Sequence, residues 1–193
     1  MNKEEIVNRI SEVYSPLSSG CRKELLDSIK ILSRKKHTTL VKEGQYSDKT
    51  FYIVEGCARV YYLKDGKDIS DWFAFENEFI SSIISFFSDK PSPHYIELLE
   101  DSILIEMSKD TVDKLSVKYH DFERLIKVVV IQTMLSQRER ISSILFQNAQ
   151  QRYENILKKY PNITNRVPLT HIASHLGITL ETLSRIRNPR NGI

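Results

Sequence analysis

Glu181, Ser184 and Arg185 lie three and four residues apart near the C-terminal end of a 193-residue chain, in the stretch "TLETLSRIR". On a helix that spacing puts all three on one face. Their chemistry suits the edges of DNA bases. An arginine can donate two hydrogen bonds to guanine O6 and N7, a glutamate can accept from cytosine N4, and a serine fits either role. Thr179, Thr182 and Arg187 flank them, and with the positive end of a helix they could hold backbone phosphates. Thr170 and His171, eight or more residues upstream, could add contacts of the same kind. Glu181 has a plainer reading as a favourable acidic residue in a first helical turn.

Such a face is useful only if a second helix fixes it. The stretch "LTHIASHLGITLETLSRIR" (169–187) meets the steric demands of a helix-turn-helix. Ala173 is small where the helices would cross, and Gly177 sits in the turn, where a positive φ is needed. Ile172, Leu176, Ile178, Leu183 and Ile186 occupy the interior positions. Thr170 can cap the first helix and Thr179 the second. A helical corner without a DNA role has the same buried pattern, so the surroundings must be weighed too. From Gln151 to Ile193 there are seven Lys/Arg and two acids, a charge of +5 that leaves −2 for the rest. A basic module on a slightly acidic body suits a polyanion.

Other chemistries find less support. The five histidines, His37, His94, His120, His171 and His175, include no His-x-His pair. His171 and His175 have the i, i+4 spacing of metal ligands but no evident third ligand, so both are read as surface residues and no metal is expected. A cupin-like barrel enzyme would need a His and carboxylate cluster, and neither a nucleophile–base pair nor a P-loop is evident. No enzymatic activity and no cofactor are expected. Cys21 and Cys57 read as reduced thiols, too few for a four-cysteine iron–sulfur cluster. No apolar run nears the roughly 18 residues of a membrane span, and the first residues lack a secretory h-region, so a cytoplasmic protein is expected.

The elements upstream divide into two textures. Helical spacing covers 3–13 and 21–33. From about His37 short β-branched and aromatic runs take over, "TTLVKEG", "TFYIVEG", "CARVYYL" and "DISDWFAF", followed by "YIELLEDSILIEMS" (95–108). Asp65-Gly66 between two of them is a hairpin signal. Strands this short and evenly spaced predict a small barrel or sandwich. Helix resumes at Ser108, and 122–147 is the longest candidate. Its first part is apolar on nearly every side, which predicts burial on more than one face. One face would pack on the barrel. Leu125, Val128, Val129, Gln132 and Leu135 would form a coiled-coil-like seam with a second copy, although a central core helix in a monomer shares that pattern. One further helix over 148–163 would end at Pro161.

The whole arrangement resembles the Crp/Fnr family of bacterial transcription regulators. The resemblance rests on "LVKEGQYSDKTFYIVEGCARVYY" and "FENEFISS" in the barrel and on "RVPLTHIASHLGITLETLSRIR" near the C-terminus. It implies an α+β fold: a jelly-roll sensor barrel of cyclic-nucleotide-binding type with N-terminal helices (1–120), a long dimerisation helix (121–147) and a helix-turn-helix domain (148–193). It implies a homodimer on an imperfect palindrome of double-stranded DNA, with RNA polymerase as a further partner and no membrane role. The Glu181, Ser184 and Arg185 arrangement is similar to the Fnr type, and Leu180 stands where the Crp type carries an arginine. Two departures matter. At the positions of the Gly-Glu and Arg-Ser pairs that hold cyclic AMP in the family, the chain has Ser81, Ser82, Ser92 and Pro93. The ribose acid and the phosphate-binding guanidinium are missing, and a buried phosphate without a cation is costly. Control by cyclic AMP is therefore not expected, and the effector is unknown. Nor is a β-hairpin wing evident, since Pro189 follows the second helix. Phosphate contacts would instead come from Lys158, Lys159, Arg166 and Arg190. A ligand-binding sensor without a DNA role is the competing reading.

Overall fold

The computed structural model describes residues 2–188. Helix α1 (Lys3–Val13) starts at a capping box formed by Asn2 and Glu5. Helix α2 (Ser19–Ser28) ends where Ile29 turns extended. The helical reading of 21–33 therefore fails beyond Ser28, because residues 30–34 form strand β1 (Lys30–Arg34) and pair antiparallel with β8 (Ser102–Ser108).

The remaining strands are β2 (Thr39–Val41), β3 (Lys49–Glu55), β4 (Ala58–Lys64), β5 (Lys67–Ala74), β6 (Phe79–Ser81) and β7 (Tyr95–Leu98). Two four-stranded antiparallel sheets result, ordered β1-β8-β3-β6 and β2-β7-β4-β5. This is the expected jelly roll. Residues of alternate register on both sheets, among them Phe51, Ile53, Val60, Ile96, Leu98 and Leu104, fill the space between them. The Asp65-Gly66 turn closes the β4–β5 hairpin with Lys64 opposite Lys67. Strand β6 and the short helix α3 (Ile83–Ser88) carry no clear sequence signal.

Helix α4 (Lys109–Lys118) is capped by Ser108, and α5 (His120–Phe146) is the long helix. Phe122 and Leu125 face inward and join Ile6, Ile10, Leu25, Val112 and Leu115 in a core beneath the barrel. Leu125 is only 1% exposed, so it belongs to the interior of one chain and not to a seam between copies. Val130, Ile131, Met134 and Leu135 are exposed on the same helix. Among the described residues no helix is long and apolar enough to cross a membrane.

The predicted helix over 148–163 is α6 (Ala149–Lys159), which stops just before Pro161 and is followed by a single turn, α7 (Ile163–Arg166). Helices α8 (Leu169–Leu176) and α9 (Leu180–Arg187) complete the described chain. Pro189 and Arg190, given roles above, lie outside the described residues.

Candidate nucleic-acid interface

The α8–α9 pair is built as the steric argument requires. Gly177 takes φ 66°, and the amide of Ile178 reaches back to the carbonyl of Ala173 at 3.0 Å, so the first helix closes in a left-handed cap. Ile172, Ala173, Leu176 and Leu183 are almost wholly buried, and Ile178 and Ile186 pack against them. Thr179 caps α9 by accepting from the Thr182 amide at 3.2 Å. Thr170 does not cap α8: the cap position is Pro168, which has no side-chain acceptor, and Thr170 falls inside the first turn.

On α9, Glu181, Ser184, Arg185 and Arg187 are exposed and Thr182 is half-buried. Among the described residues neither Arg185 nor Arg187 pairs with an acid. The Glu181 carboxyl lies below the usual range, held there by its own backbone amide and the Thr179 hydroxyl, with Arg185 adding attraction. It is therefore charged and serves the helix N-terminus as well as any ligand.

The preceding helix departs from the expectation. His171 and His175 are not surface residues, because α8 lies against β5. His171 Nδ1 is 3.0 Å from a guanidinium nitrogen of Arg59. Its pKa falls, first from burial and second from Arg59, so the neutral ring accepts that bond. Arg59 is itself buried and paired with Asp68 and Glu97. Ser174 Oγ donates to the Asp68 carbonyl and accepts from the Ser70 amide, both at 2.9 Å. His175 packs on Phe73 with ring centroids 5.1 Å apart. Enclosure and the nearby Arg140 push its pKa down to about 3. His171 thus faces the barrel and is not available to a phosphate.

Arg166 is likewise committed. Its guanidinium meets Glu76 at 2.7 and 2.6 Å and Glu100 at 2.6 and 3.1 Å, over the ring of Phe75. Burial opposes the charge on Glu76, but Arg166 and the amides of Glu76 and Gly56 outweigh it and hold its pKa down. Beside them Tyr160 donates to Glu78 at 3.0 Å and stacks on Phe75. Among the described residues, Lys158 and Lys159 of the expected phosphate contacts remain exposed.

At the expected effector position, Ser82 and Ser92 come together, with Ser82 Oγ donating to Ser92 Oγ at 2.8 Å, both almost fully buried. Ser92 Oγ in turn donates to the His94 carbonyl at 2.7 Å. His94 is held neutral by burial, and its Nε2 is buried without a partner. Ser81 points elsewhere and lines an apolar cavity of about 220 Å³ against α5. Among the described residues no cluster of His, Cys, Asp and Glu could hold a metal.

Of the proposed seam, Gln132 and Leu135 are exposed, Val128 is half-buried, and Val129 lines the same apolar cavity.

Comparison with known proteins fits this architecture. Residues 31–119 match the cyclic nucleotide-binding domain family. FixK2 from Bradyrhizobium japonicum superposes with a TM-score of 0.73 at 16% identity over 83% of each chain. The chain has the Crp/Fnr fold. The c-di-GMP-responsive global regulator CLP of Xanthomonas campestris gives 0.69 at 15% identity, covering 89% of this chain and 91% of the other. A protein assigned to the Crp/Fnr family from Eubacterium rectale gives 0.68 at 18%, covering 88% and 82%. No curated protein matches the sequence.

Proposed function

We propose that the chain is a homodimeric, sequence-specific DNA-binding transcription regulator of the Crp/Fnr type. The observation that carries this is the exposed face of α9, where Glu181, Ser184 and Arg185 stand together on a helix fixed by a buried helix-turn-helix core. Residues 1–120 act as the sensor, 121–147 as the dimerisation helix and 148–193 as the DNA-binding domain. In the dimer each α9 enters a major groove, and two half-sites about one helical turn apart form an imperfect palindrome. RNA polymerase is the partner on which such a cytoplasmic regulator acts. Thr179, Thr182 and Arg187 hold phosphates, joined by Thr170, which is exposed, and not by His171.

Val128, Ile131, Gln132, Met134 and Leu135 form the seam, since these side chains lie wholly or partly open to solvent in a single chain. Cyclic AMP is not the effector. A phosphate in the barrel would meet Ser82 and Ser92, whose hydroxyl protons are already donated to Ser92 Oγ and to the His94 carbonyl, and no guanidinium among the described residues. The protein is a regulator and not an enzyme, with no cofactor.

Selection of bound duplexes from a random pool tests the reading. Recovery of a two-fold-related consensus is the expected result, and a pool that stays random overturns it.

A further inference from the structure

We infer that Arg166 is a latch that holds the helix-turn-helix module against the sensor barrel in a DNA-incompetent position. This rests on the DNA-binding reading above. Three loops of the barrel meet at the module. Glu76 lies between β5 and β6, and Glu100 between β7 and β8. Gly56, between β3 and β4, donates its amide to Glu76 at 2.9 Å. Arg166 donates to Glu76 and Glu100, and Glu76 in turn holds the Gly56 loop.

The latch closes over a shared core. Cys57, Phe73, Phe75 and Leu99 of the barrel pack in one cluster with Tyr153, Ile156, Ile163, Ile172 and Leu183 of the module. On the other side, an open cleft of about 910 Å³ separates the module from the second half of α5. The module is therefore held by the barrel more than by the helix from which it extends.

Docking leaves the α9 face exposed but covers α8. In a helix-turn-helix the first helix crosses the DNA backbone. Here β5 occupies the His171 and Ser174 side of α8, and Asp68, Asp71 and Glu97 line that edge. Those carboxylates are paired with Arg59 and Arg140, so it is the strand, more than free negative charge, that closes this side of α8 to phosphates. Binding thus requires release, and whatever breaks the Arg166 pairs shifts the population toward the binding-competent state.

The test compares wild type with Arg166→Met and with Glu76→Gln/Glu100→Gln. Dyes on cysteines introduced at the exposed Glu43 and Asn165 report separation of barrel and module, since Cys21 and Cys57 are buried. Lower energy transfer in both latch variants without DNA is expected, and unchanged transfer overturns the latch. Affinity for mixed-sequence duplex DNA then discriminates further. Arg166→Met removes a positive charge, so a plain phosphate contact predicts weaker binding. The latch predicts binding on the order of tenfold tighter. Weaker binding by Arg166→Met together with tighter binding by the double glutamine variant overturns the latch in favour of simple charge. Should neither variant fold, energy transfer in the wild type decides: a drop on adding DNA supports release, and no change refutes it. If the variants open but none binds DNA, the latch stands and the DNA reading fails.

Discussion

Arg166 meets Glu76 with its two terminal nitrogens on the two carboxylate oxygens, at 2.7 and 2.6 Å. This fork-to-fork geometry is the strong form of an ion pair. It joins residues 90 positions apart. Both side chains keep some exposure, 25% and 35%, so the pair is screened. Glu76→Gln should cost about 1–2 kcal/mol in denaturant unfolding near pH 7. The carboxyl's folded pKa is depressed, so its stabilisation is present above the ordinary glutamate value and disappears as the pH falls through the lowered one. The gap between wild type and variant should therefore close in acid. A gap that stays constant to low pH would remove the charge from the explanation.

His175 gives the second pH dependence. Its ring is enclosed against Phe73 beside Arg140, with a folded pKa of about 3 against an ordinary value of 6.5. Between those values the unfolded chain binds a proton and the folded one does not. Stability is thus full above about pH 6.5 and falls as the solution is acidified, by about 1.4 kcal/mol per unit through the window. His175→Phe keeps the stacking and removes the proton. Its unfolding free energy should be flatter from pH 6.5 to 4 than that of the wild type, and parallel curves would refute the assignment.

What could be read from the sequence was local. The Asp65-Gly66 turn, the β-branched and aromatic runs of β3 to β5 and the Ala173, Gly177 and Leu183 spacing each depend on neighbours a few residues away. Ile29 and Leu32 fit a helical period as well as a strand, so local spacing does not separate the two over 29–33. Pairing with β8, 68 or more residues downstream, decides the matter. The fate of His171 and Arg166 was also hidden. Both look like phosphate ligands in a basic segment, and only the folded chain brings Arg59, Glu76 and Glu100 to them.

Gly56 should tolerate no side chain. Its φ is 108°, and a Cβ there would stand 2.2 Å from Ser102 Oγ and 3.0 Å from Ser102 Cα. Gly56→Ala should lose about 2 kcal/mol or more in thermal or denaturant melts. Adding Ser102→Ala should recover only part, because the backbone contact and the positive φ remain. Full recovery would show that the hydroxyl alone is the obstacle.

The long helix separates two kinds of apolar residue. Leu125→Ala should destabilise each chain by about 2–5 kcal/mol, as a buried leucine does. Met134→Glu changes a side chain that is 60% exposed, so it should leave the fold of one chain intact and reduce the sedimenting mass from two chains to one. A wild-type monomer at micromolar concentration, or a variant that still sediments as a dimer, would dismiss the seam.

Arg185 carries the base-reading hypothesis. It projects from α9 one turn beyond Glu181, with no acid paired to it among the described residues, so its guanidinium is available to a guanine edge. Arg185→Ala should weaken binding to the selected operator by about 1–3 kcal/mol and relax preference at one base pair in each half-site. Arg187→Ala removes the same charge from a position assigned to phosphate. It should weaken all sequences alike and lower the salt dependence of binding by about one ion. The pair of variants separates reading from holding. Should Arg185→Ala lose affinity uniformly, with the operator preference intact, then α9 holds DNA without reading it at that residue.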